Sequence, residues 1–103
     1  MQRHSYTISL EFDSVEIDEV IIDQHYRLKH PDVNDRIILN LIKAIQGLNY
    51  NKKSVEDPYV YYLFQPVFYN PRPYRLILLT EKNCSYLGVI NAFRILEKKD
   101  GVS

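Results

Sequence analysis

The chain has 103 residues, 46% of them apolar and 25% charged, enough for one domain with a single core, since domains commonly run to about 100–150 residues. That composition excludes a disordered chain. Thirteen basic side chains balance thirteen acidic ones, and a formal charge of zero speaks against a protein built to wrap nucleic acid, whose domains carry a basic excess.

Tyr6, Ile8, Leu10 and Phe12 alternate with Thr7, Ser9 and Glu11, the period of two that predicts a half-buried strand. Asp13 and Ser14 then offer capping oxygens ahead of Glu16, Asp18 and Glu19, acids suited to the positive end of a helix. Ile17, Val20, Ile21, Gln24 and Leu28 fall roughly on one helical face and predict a first helix over 15–29, although SVEI also alternates like a strand. Pro31 breaks it. Asp32 and Asp35 resemble the capping pattern of a second helix, 33–46, on which Ile37, Ile38, Leu41, Ile42 and Ile45 repeat at the helical period. Gly47 stands where a left-handed cap wants no Cβ, and Leu48 would supply the apolar contact that accompanies it.

Residues 49–57 read as a polar loop. Beyond them the runs 58–69, YRLILLT and SYLGVINAFRI are β-branched and aromatic, and the short connections NPRP and EKNC predict an antiparallel meander. Pro66 cannot donate to a ladder and marks an edge or bulge, and Gly88 a bulge or close backbone approach. The tail, 97–103, is polar and expected to fray. The predicted fold is α+β in two layers, β-α-α-β-β-β, with a helical hairpin packed on a mostly antiparallel four-stranded sheet. The strand over 58–69 is apolar on both faces, so the far side of the sheet should bind something or be covered by the tail or a second copy.

Cys84 is the only cysteine, which excludes an internal disulfide, and no Cys/His spacing forms a zinc site. The N-terminus carries no signal pattern and no apolar run is long enough to span a bilayer, so a cytoplasmic protein with no membrane partner is expected. The zero net charge hides a polar distribution: residues 1–35 hold eight acids and three bases, a formal −5, and residues 36–103 five acids and ten bases, a formal +5. The stretch from Glu11 to Asp23, with six carboxylates and no Lys or Arg, is read as a solvated helix face or a patch complementary to the chain's own basic half, or else as an acidic flank beside a basic nucleic-acid or partner surface.

With IKAIQGL ending the second helix, PYRLILL as a basic-led strand, and LGVINAFRI as the last strand, most of residues 5–95 resembles a RelE/ParE-type toxin of the barnase–EndoU–colicin–RelE group. HYRLKHPDVNDRIILNLIKAIQG is similar to small domains of that group that carry a histidine on the first helix. The resemblance implies metal-independent endoribonuclease activity on RNA, or gyrase inhibition in the ParE branch, with a cognate antitoxin laid across the domain and no cofactor. It carries His25, Arg75 and Arg94 over as catalytic positions. The chain departs from the family in its neutral charge and in having only Arg94, Lys98 and Lys99 where the C-terminal basic cluster lies.

Such cleavage needs a base for the 2′-OH proton, an acid for the leaving oxygen and a cation at the phosphate. Histidine suits the first two roles and arginine the third. His25 and His30 are the acid/base candidates, Arg75 and Arg94 the phosphate clamps, while Tyr86, Asn91 and His30 could bind base or ribose. His25 and His30 are five apart and do not share a helical face, which disfavours a metal site even with Asp32 and Asp35 nearby. His4 reads as a terminal residue. Nine tyrosines without a tryptophan, six of them in the C-terminal half (Tyr59, Tyr61, Tyr62, Tyr69, Tyr74 and Tyr86), suit core packing, base stacking or a protein interface. They support the alternative function, a non-catalytic or self-associating module that uses a Tyr-rich sheet face.

Overall fold

The computed structural model describes residues 2–96. In chain order it contains β1 (Arg3–Phe12), β2 (Val15–Asp23), α1 (Tyr26–Lys29), α2 (Asp35–Ala44), β3 (Lys52–Glu56), β4 (Tyr59–Tyr69), β5 (Arg72–Glu81) and β6 (Tyr86–Arg94). The strands form one six-stranded sheet, ordered β1-β2-β6-β5-β4-β3. The β2–β6 pair is parallel and the others are antiparallel. The expected β-α-α-β-β-β order with a helical hairpin on four strands is therefore wrong in two places. The tail expected to fray lies outside the described residues.

The first error is the helix over 15–29. Residues 15–23 are strand, because five of the nine are Val or Ile, whose branched Cβ loses χ1 freedom in a helix and packs well on a pleated surface. Asp13 and Ser14 do not cap a helix; both adopt left-handed backbone, φ 51° and 69°, as a two-residue type I′ hairpin turn requires. β1 carries one extra residue between Thr7 and Leu10, and this bulge lets Ile17, Val20 and Ile22 all reach the core. Only one helical turn, α1, survives of the predicted element. The second error is the loop: Lys52–Glu56 pairs with β4 as an edge strand, and its two lysines are the kind of charge that blunts an open edge.

Other elements agree with the sequence pattern. Helix α2 buries Ile38, Leu41 and Ile42 against the sheet, and Gly47 takes φ +85° after it. Its N-cap is Asn34, whose Oδ1 accepts from the Ile37 N–H at 2.9 Å, rather than Asp32. Leu48 is 54% exposed and does not close the cap. Pro66 lies at a bulge, Gln65 and Pro66 together facing Arg75. Gly88 marks a close approach: a Cβ there would stand 3.1 Å from Leu79 Cγ.

The core fills one face of the sheet. Val20 and Ile22 of β2, Leu87 and Val89 of β6, Leu76 and Leu78 of β5, and Tyr62 and Phe64 of β4 meet α2 there. Among the described residues no helix is long and apolar enough to cross a membrane.

Candidate functional site

Two places concentrate chemistry, one beneath α2 and one on the uncovered face of the sheet. Beneath α2, Asp35 sits in the first helical turn but turns inward, 6% exposed. Tyr26 donates its hydroxyl to Oδ1 at 2.6 Å and Tyr6 to Oδ2 at 2.6 Å. His4 Nδ1 lies 2.7 Å from Oδ2, and Gln24 Nε2 reaches both oxygens at 3.1 and 3.2 Å. Burial pushes the Asp35 carboxyl upward, but these four donors outweigh it and hold the group at about 2. Burial and the bond to Asp35 push the Tyr26 hydroxyl up to about 12. The cluster joins β1, the turn after β2 and α1 to α2 around one buried anion, and Arg27 adds a cation at 3.8 Å. All its donors come from the chain itself, which makes it an anchor for the N-terminal hairpin.

On the uncovered face, register fixes which side chains share a row, since directly paired residues point the same way. One row holds Tyr59, Glu81, Tyr86 and Glu19; the next Tyr61, Leu79, Gly88 and Ile21; the next Leu63, Ile77 and Asn91; the last contains Arg75 and Phe93. Every one of these side chains except the glycine is only partly buried. Because Gly88 has no side chain, a hollow of about 170 Å³ opens above it, walled by Ile21, Leu79, Tyr59, Tyr86, Ile90 and Arg3. At its rim Tyr86 donates to Glu81 Oε1 at 2.7 Å, and burial together with that bond moves the Tyr86 hydroxyl far above the usual tyrosine range.

The predicted site residues separate. Arg75 pairs with Phe93 and Tyr74 with Arg94, so alternation puts Arg75 and Arg94 on opposite faces. Arg75 lies with its guanidinium 5.5 Å from the Phe93 ring centre and its Nε on Gln65 Oε1. The His30 imidazole stacks on the same Phe93 ring, centroids 4.8 Å apart, so His30 and Arg75 do meet at one aromatic side chain. His25 is exposed ahead of α1, its N–H donated to Asp23 Oδ1 at 2.9 Å. Asn91 uses its side-chain oxygen to accept the Ala92 N–H at 3.0 Å. Sequence reasoning missed the His4, Tyr6, Gln24, Tyr26 and Asp35 cluster; only the alternation of His4 and Tyr6 on β1 hinted that they share a face. Among the described residues no group of three or more His, Cys, Asp or Glu side chains is arranged to hold a metal ion.

No known protein family, curated protein or solved structure matches this chain.

Proposed function

We propose that the protein is a non-catalytic binding module that engages another protein through the uncovered face of its sheet. The observation that carries this reading is the face itself. Ile21, Tyr61, Leu63, Ile77 and Leu79 form contiguous, partly buried apolar rows, a patch that soluble proteins seldom leave bare unless a partner uses it. Tyrosines at its margin, Tyr59 and Tyr86, supply stiff, amphipathic contact area of the kind enriched at protein interfaces. The experiment is photo-crosslinking in cells with a benzophenone amino acid at Ile77, and at the exposed Arg36 on α2 as the opposite-face control. Adducts from Ile77 and none from Arg36 are expected; an uncrosslinked chain from the sheet face overturns the reading.

The juxtaposition of His30, Phe93 and Arg75 favours a second reading, RelE-like cleavage of RNA, with His30 as acid or base, Arg75 at the phosphate and a base stacked on Phe93. Arg94 on the other face and the exposed His25 take no part in it. Purified protein should then degrade RNA and lose that activity in His30→Ala and Arg75→Ala; RNA left intact by the wild type sinks it.

A further inference from the structure

We infer that the partner on the uncovered face is a second copy of this chain, related by a two-fold axis that lies in the interface and runs across the strands, so that the two sheets pack antiparallel. The inference rests on the binding-module reading and commits it to one occupant.

Charge placement along the rows carries it. At one end of the face stand Glu56, Glu81 and Glu19, tied by register to Tyr59 and Tyr86. At the other end stands Arg75, paired with Phe93, and one row in from it Lys52, paired with Leu63; Arg3 and Asp23 stand opposite one another there, one charge of each sign. The apolar rows lie between. Glu81 and Arg75 are six residues apart on one strand, about 20 Å at about 3.4 Å per residue, so a single copy cannot pair them. Among the described residues the ion pairs are His4 with Asp35, Arg27 with Asp35 and Lys53 with Asp13; none uses Glu19, Glu56, Glu81, Lys52 or Arg75. Among the described residues the face is therefore an apolar band with an acidic end and a basic end that no ion pair neutralises, and a surface that complements it is the same face turned end for end.

A two-fold across the strands does this. It lays β5 on β5 and β3 on β3 in opposite directions, setting Glu81 over the second copy's Arg75 and Glu56 within reach of the second copy's Lys52. It also lays β6 on β6, so the hollow above Gly88 faces the second copy's Ile90, the extra residue of the β6 bulge. Two aligned sheets packing about 10 Å apart is an ordinary arrangement. Six strands about 4.8 Å apart and four side-chain rows give about 600 Å² in projection for each copy, and two copies reach about 1,200 Å², above the roughly 1,000 Å² that a specific interface needs. The chain's own tail is a poor cover, since residues 97–103 contain one apolar side chain, Val102.

Light scattering on the full chain across a wide concentration range should show twice the monomer mass of 12.3 kDa. Glu81→Arg and Arg75→Glu should each weaken association by about tenfold or more, as like charges meet across the interface. An equimolar mixture of the two variants should dimerise again, because each supplies the charge the other lost; that rescue rules out misfolding as the cause of the single effects. A wild type that stays monomeric, or a mixture that stays monomeric, overturns the inference. Crosslinked adducts from Ile77 at any mass other than two chains, with a monomeric wild type, overturn the inference and leave the binding-module reading standing, whereas no adduct at all removes both.

Discussion

Leu78 and Leu79 are neighbours on β5 with opposite fates. Leu78 is fully buried under α2, in a row with Tyr62 and Val89; Leu79 is partly exposed, in a row with Tyr61 and Gly88. The polar groups follow the same division. Under α2 the principal carboxylate, Asp35, is satisfied by donors from β1, α1 and the turn residue Gln24, whereas on the uncovered face Glu81 accepts from a single tyrosine, and among the described residues Lys52 and Arg75 form no ion pair. One face is closed on itself and the other is left open. The difference teaches that the hydrophobicity of a strand pattern is not a measure of how much of it serves folding.

The largest effect that would test this division is on the core side. Leu78→Ala should cost about 3 kcal/mol through lost transfer energy and the cavity left behind, while Leu79→Ala should cost clearly less in the monomer, because its side chain stays partly in water and its loss leaves no closed cavity. Urea unfolding of the two variants under dilute conditions measures both, and equal losses would erase the distinction between the faces.

A smaller effect sharpens the role of the buried anion. Asp35 is held at about 2 against an ordinary value of 3.8, so its contribution is fully present above about pH 4 and is lost as pH falls from about 4 to 2, roughly 2 kcal/mol in all. Tyr26, raised to about 12 from 10.0, acts in the opposite direction: its contribution is present below pH 10 and lost as pH rises through 12. Stability measured against pH should show both limbs. In Asp35→Asn the acid limb should flatten, and an unchanged limb would place the acid-sensitive group elsewhere.

The smallest effect is expected at Gly88. In Gly88→Ala the new methyl meets the Leu79 side chain at 3.1 Å, and because Leu79 can shift toward the uncovered side, the cost should stay below about 1 kcal/mol. Thermal unfolding checks it, and a loss comparable to that of Leu78→Ala would show that the open face is packed as tightly as the closed one.

Much of the fold was legible locally. The alternation of Tyr6 to Phe12, the five apolar positions of α2, Gly47 after it and the three C-terminal strands each carry a periodic or conformational signature within one segment. Val15–Asp23 was not legible, because its apolar positions fit a helical face about as well as a bulged strand, and the choice was made by the Asp13–Ser14 turn and the β1 bulge. Lys52–Glu56 was not legible because an edge strand exposed on both sides needs no hydrophobic pattern. Of the candidate site, His30 and Arg75 were found individually, but their meeting at Phe93 depends on where α1 sits at the end of β2, and the separation of Arg94 from Arg75 depends on strand register.

By itself the sequence determined which segments carry apolar periodicity, where helix α2 begins to end, and that acids gather in the first third of the chain while bases follow. Tertiary structure decided the rest. It drew Asp35 inward to meet His4, Tyr6, Gln24 and Tyr26, residues up to 31 apart in sequence, and it spread Glu19, Glu56 and Glu81 along one end of a sheet face whose other end carries Lys52 and Arg75. The reason is that periodicity is a property of one segment, whereas a shared face is a property of strand order and register, and a shift of one residue turns every side chain over.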